Sequence, residues 1–201
     1  MKKFLFGCGG LLVLVLGIAV VGGAMVAGVY NGLVKSQESV NSAWSQVENV
    51  YQRRADLVPN LVATVKGVAN FEKETYTAVT EARARVGQMQ VTPQMLDDPN
   101  ALAKFQRAQG ELGSALSRLL VVSENYPQLK ANQNFLDLQS QLESTENRIA
   151  IERRRYNEVA QGYNTIIRTF PRNFVAGFLG FKSKAYFTAA EGANKAPEVK
   201  F

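Results

Sequence analysis

The sequence predicts an all-α protein: an N-terminal transmembrane helix followed by an elongated up-and-down helical bundle of three long helices and a short C-terminal one. Three observations predict it. No charged residue occurs from Phe4 to Val34, and about 20 apolar residues suffice to cross a bilayer core as a helix. The apolar residues beyond that point recur at steps of three and four, the period of a helix face that meets another helix. No parallel-strand signal appears anywhere in the 201 residues. The chain divides accordingly into an anchor at 1–34, a bundle at 35–190 and a polar, Pro-containing tail at 191–201.

The anchor opens on a basic head, Met1-Lys2-Lys3, and is continuously apolar or glycine from Leu11 to Tyr30. A cleaved signal peptide would have a shorter apolar core and an A-x-A site, and a lipoprotein would carry a hydrophobic segment ahead of Cys8. Neither pattern is present in clean form. Ala24, Gly28 and Gly32 place small residues four apart twice in succession, a spacing that lets two membrane helices approach closely. Ordinary tolerance of glycine in membrane helices gives the same spacing without a partner. Lys2, Lys3 and the terminal amine outnumber Lys35 on the other flank, which by the positive-inside rule puts the N-terminus in the cytoplasm and the bundle outside.

The first bundle helix reads from Ser36 to Arg85. Its seam is Val40, Trp44, Val47, Tyr51, Val58, Leu61, Val65 and Val68, with Arg54 in the one gap, and at about 1.5 Å per residue it would be roughly 75 Å long. Pro59 lies inside it. A proline there removes one backbone hydrogen bond and crowds the preceding turn, so a bend is expected, with Arg53, Arg54, Asp56 and Asn60 placed to satisfy the loosened backbone. Such a bend either presents a binding surface or lets the helix curve over its neighbours.

Gly87, Pro93 and Pro99 break the pattern. Asp98 followed by Pro99 is an N-cap and first-turn proline, opening a second helix with Leu102, Phe105, Leu112, Leu116 and Leu119 that runs to about Glu124. Asn125-Tyr126-Pro127 marks the next turn. The third helix starts near Gln128 or Asn132 and carries Phe135, Leu138, Leu142, Thr145, Ile149, Glu152, Tyr156, Val159, Tyr163, Ile166 and Phe170, ending at Pro171. Arg54 and Glu152 each interrupt an apolar seam. A polar seam residue can specify register, and the two are a candidate pair. After Pro171, Phe174, Phe178 and Phe181 lie four and three apart and form one stripe if that segment is helical. The stripe must cover the end of the bundle, enter a membrane interface or meet a second subunit.

Composition narrows the chemistry. The absence of histidine removes the usual general base, the commonest zinc ligand and the Ser-His and Cys-His nucleophile pairs. The net charge of +6 and pI near 9.5 allow anionic partners. The basic residues are nevertheless interleaved with acidic ones, as in Glu72-Lys73-Glu74, Glu81 to Arg85 and Glu143 to Arg155, which reads as solvated helix surface rather than a nucleic-acid site. No cofactor or metal is implied, and no acid, base and nucleophile converge, so an enzyme is not expected.

Several separated motifs resemble one family. Gln52-Arg53-Arg54-Ala55-Asp56-Leu57-Val58-Pro59-Asn60-Leu61-Val62 with Val65-Lys66-Gly67 is similar to the signature of the LemA family. So are Glu124-Asn125-Tyr126-Pro127 with Leu129-Lys130-Ala131-Asn132, and Ser144 to Ile149 ahead of Arg155-Tyr156-Asn157, Tyr163-Asn164 and Phe170-Pro171. The resemblance implies a bacterial membrane protein with one N-terminal transmembrane helix and a helical-bundle domain, and no established catalytic residue. Descriptions of that family have placed the short N-terminus outside, opposite to the charge argument, so both orientations stand at this point.

Two functions fit these features. One is a scaffold of the bacterial cytoplasmic membrane, acting through self-association or contact with an envelope protein. The other is a lipid-binding or membrane-remodelling module that dips the 172–187 segment, with Arg172, Lys182 and Lys184, into the interface. The candidate surface comprises Arg53, Arg54, Asp56, Pro59, Asn60, Phe174, Phe178 and Phe181.

Overall fold

The computed structural model describes residues 2–68, 71–89 and 92–189, with only the backbone at 2–9, 11 and 12. The expected tail at 191–201 lies outside them. Among the described residues there are helices and no strands: α1 (Lys2–Lys66), α2 (Lys73–Gly87), a 3₁₀ turn (Pro93–Asp97), α3 (Pro99–Ser123), α4 (Pro127–Lys130), α5 (Gln133–Arg168) and α6 (Arg172–Phe178). An extended strap, 181–189, follows.

The apolar N-terminal run and the first bundle helix are a single element. α1 is 65 residues, about 100 Å at 1.5 Å per residue, and it passes from anchor to bundle without interruption at residue 34. Its apolar end has the length and composition to cross a membrane, and Val13 to Val26 stand clear of the bundle. Leu33 and Val40, a few residues on, are fully buried.

The expected helix from Ser36 to Arg85 is two helices. α1 stops at Lys66, and the chain turns through Gly67 and Val68, whose N–H groups donate to the carbonyls of Ala63 and Val65. α2 then returns alongside α1. Glycine is among the weakest helix formers, and Phe71 fixes the turn by packing against Tyr126, ring centroids 4.8 Å apart. α2 was hidden in the sequence because its buried residues are small or polar: Thr75, Val79 and Ala82.

The four principal helices run alternately up and down, as the shared cores show. One apolar cluster joins Leu33 to Tyr51 of α1 with Leu102 and Phe105 of α3 and Ile149 to Ile167 of α5. The second joins Val58 to Val65 with Val79 and Ala82 of α2, Leu112 to Leu119, and Phe135 and Leu142. α5 therefore descends antiparallel to α1, and its C-terminal end lies beside the start of the bundle. The caps follow local chemistry. Asp98 accepts from the N–H of Asn100 at 2.8 Å and Asn132 from that of Phe135 at 3.2 Å, each satisfying a donor the first helical turn leaves free.

α1 continues through Pro59. Proline cannot donate to the carbonyl four residues back, that of Ala55. Arg83 of α2 supplies the missing donor, its Nε–H reaching the Ala55 carbonyl at 2.9 Å. None of Arg53, Arg54, Asp56 or Asn60 fills this role, contrary to the sequence-based expectation. Arg83→Ala should therefore cost about 1 kcal/mol in the native chain and much less in a Pro59→Ala background, where the helix restores its own bond. A double-mutant cycle on denaturation midpoints measures the coupling, and additive losses would contradict the assignment.

Candidate functional site

Three places stand out from regular helix packing. The first is a polar layer between the two apolar clusters. Arg54, 3% exposed, donates from Nη1 to Glu146 Oε1 at 2.8 Å and from Nη2 to the Gln109 carbonyl at 2.9 Å and the Gln109 side-chain oxygen. Its guanidinium also lies 5.2 Å from the Tyr51 ring centroid. One side chain thus ties α1 to α3 and α5. The expected pairing of Arg54 with Glu152 is not formed. Glu152 is half-buried six residues further along α5 than Glu146, and its Oε2 meets no donor among the described residues. A layer of this kind sets register, because sliding any helix by one turn would bury an unneutralised guanidinium.

The second is the strap, most of which the sequence reading placed in the 172–187 segment offered to a membrane interface; Lys184, assigned there to lipid, is instead buried. Asn164 accepts from the N–H of Lys184 and donates to its carbonyl, both at 2.8 Å. Asn157 does the same to Phe187, both at 2.9 Å. The geometry explains the match. Asn157 and Asn164 lie seven residues apart on a helix, a rise of about 10.5 Å, and three residues of extended chain span about 10 Å. Gln106 of α3 brackets Thr188 likewise, the Ala185 N–H donates to the Leu96 carbonyl at 2.7 Å, and Lys184 pairs with Asp97. Phe187 stacks on Trp44 at 5.9 Å and meets Tyr156 edge-on at 5.5 Å. The signal in the sequence is the dipeptide Tyr-Asn, repeated one heptad apart at Tyr156-Asn157 and Tyr163-Asn164.

The two tyrosines of that repeat differ. The Tyr156 hydroxyl donates to the Ala185 carbonyl at 2.9 Å, whereas that of Tyr163 is buried with no partner among the described residues. Tyr156→Phe should cost about 1 kcal/mol, and Tyr163→Phe should change stability by less than about 0.5 kcal/mol. Burial, helped by the Asp97 charge, pushes the Tyr163 phenol up to about 12 from an ordinary value of 10.0. The unfolded chain ionises first, so its stabilising effect is whole below pH 10 and lost as pH rises through about 12. Alkaline unfolding followed by circular dichroism should shift to higher pH in Tyr163→Phe. An unchanged midpoint would contradict this.

The third place is the membrane-proximal end. Phe181 is partly buried and packs edge-on to Tyr30, ring centroids 6.1 Å apart. Phe174 and Phe178 do not share that burial. They are 67% and 91% exposed, and Phe170, read from the sequence as a seam residue, is 75% exposed. α6 buries Ala176 and half-buries Val175 instead. The expected single stripe is therefore split, with Phe181 inside and Phe174 and Phe178 outside.

The remaining candidate residues all lie on α1. Arg53, Asp56, Pro59 and Asn60 are exposed while Arg54 is core, and Asp56 is engaged by Gln52 of its own helix at 2.7 Å. Ala24, Gly28 and Gly32 are exposed on α1, and a Cβ on either glycine would meet nothing within 4 Å. Among the described residues no group of three acidic, His or Cys side chains is placed to hold a metal.

Comparison with known proteins agrees with the sequence motifs. The model of the LemA family matches residues 43–201. Magnetosome protein MamQ 2 of Paramagnetospirillum magneticum is 30% identical over 174 residues, covering 79% of this chain and 64% of its own length. The magnetosome protein MamQ of Magnetospirillum gryphiswaldense is 29% identical with the same coverage. Protein LemA of Metamycoplasma hominis is 27% identical over 161 residues, covering 80% of this chain and 69% of its own. The chain thus spans a little under two thirds of the MamQ proteins it matches, and none of these names denotes an enzyme. With a family match over most of its length and the fold that the motifs imply, the chain belongs to the LemA family.

Proposed function

We propose that this protein is a single-pass scaffold of the bacterial cytoplasmic membrane, whose bundle stands outside the cytoplasm and acts through contacts with further copies or with an envelope protein. The observation that carries the reading is the continuity of α1 from an apolar span into the bundle core, with Leu33 and Val40 buried on the same helix that is bare from Val13 to Val26. No loop separates the two parts, so the bundle's attitude is coupled to that of the membrane helix. The lysines at 2 and 3 support the outward orientation.

Oxidative crosslinking in native membranes tests the self-association. In a Cys8→Ser background, Gly28→Cys should form a disulfide-linked dimer while Val26→Cys, on the opposite side of the helix, should not. Equal crosslinking at both, or none at Gly28, would contradict packing through the small-residue face. Protease added to intact spheroplasts should digest the bundle, and full protection until lysis would reverse the orientation.

A further inference from the structure

We propose that α6 is a second membrane contact, in which Phe170, Phe174, Phe178 and Leu179 seat in the headgroup–acyl boundary of the bilayer that α1 crosses while Arg172 and Lys182 meet anionic lipid phosphates. The proposal rests on the membrane-anchored reading of α1 and adds a site to it.

Height places α6 at that boundary. α5 descends antiparallel to α1 and ends at Arg168, where the chain turns and α6 packs against both helices. Ile167 and Ala176 share a core cluster with Leu33, and Phe181 touches Tyr30, the last residue of the apolar run. An aromatic residue with a polar tip at that position is what a membrane–water interface favours. The turn and α6 therefore lie level with the end of the span.

Composition supplies the chemistry. Phe170, Phe174, Phe178 and Leu179 are all exposed, Phe178 most of all, and the rings of Phe170 and Phe174 already touch at 6.0 Å. Contiguous exposed aromatics of this kind mark an interaction site. No acidic residue occurs between Glu158 and Glu191. Arg172 and Lys182 are exposed and form no ion pair among the described residues. An apolar patch rimmed by unpaired cations, on a chain segment without acidic residues, fits an anionic bilayer surface better than a protein partner or a second copy of this basic patch.

Depth measurement on the full chain tests it. In Cys8→Ser, a spin label at Gly177→Cys keeps every phenylalanine in place, since a Cβ at Gly177 meets nothing within 4 Å. Labels at Val20→Cys and Leu136→Cys report the span and the far end of the bundle. In vesicles of phosphatidylcholine and phosphatidylglycerol, the label at 177 should collide with oxygen readily and with a water-soluble nickel complex several-fold less often than the label at 136. Phe174→Ser with Phe178→Ser should return it to the aqueous value, and Arg172→Gln with Lys182→Gln should make it shallower. If position 177 behaves like 136 while Val20 lies in the acyl region, the α6 contact is overturned and the anchor stands. If Val20 is aqueous too, the anchor reading itself fails. If 177 is shielded from both reagents and shows spin–spin broadening that disappears on dilution with unlabelled chain, a second copy covers α6 and the proposal is overturned.

Discussion

Replacing Glu146 by alanine is expected to destabilise the protein by about 3 kcal/mol, although Glu146 itself is half-exposed, because breaking a buried pair leaves the other charge uncompensated. The stranded group is Arg54, 3% exposed, whose remaining contacts are the Gln109 oxygens and the Tyr51 ring. Arg54→Met should cost far less, since an apolar side chain of similar length joins the two flanking clusters and leaves Glu146 to water. The double replacement should then be little worse than Arg54→Met alone, a large coupling. Chemical denaturation of the detergent-solubilised chain measures all three. Equal damage from Arg54→Met and Glu146→Ala would mean that the layer acts through the Gln109 hydrogen bonds and not through charge.

Phe187→Ala should have an effect of similar size, about 3–5 kcal/mol. Its ring is held between Trp44, Tyr156 and the Arg153 guanidinium, 4.7 Å above it, so truncation opens a cavity where the strap crosses the core. Phe178→Ala should move stability by less than about 0.5 kcal/mol, because the ring touches water over 91% of its surface. From sequence the two phenylalanines are alike, nine residues apart in one aromatic segment. Comparable melting losses in both variants would show that the strap is not part of the core.

The difference between them marks what the sequence could and could not show. The long seams were legible because large apolar residues repeat without competition: Val40 to Val65, Leu102 to Leu119 and Phe135 to Tyr163 are the residues that fill the two clusters. Asp98 and the turn before Asn132 were legible because caps are local chemistry. α2 was not, since Thr75, Val79 and Ala82 give a weak periodic signal and the break at Gly67 sits between two helical patterns. The strap was not, because its docking is written in α5 and α3, in Asn157, Asn164 and Gln106, and not in residues 181–189 themselves. The partner of Arg54 also depended on inter-helix register. Glu146 and Glu152 are both on α5, and only the packed structure tells which one faces α1.

Alkaline carbonate extraction of membranes carrying the full chain tests the central claim, that α1 holds the bundle to a bilayer, most directly. The chain should stay in the pellet with an intact mass that includes residues 2–31, and a version lacking those residues should be released. Recovery of the full-length chain in the supernatant, or a mature form beginning beyond Ala24, would contradict it.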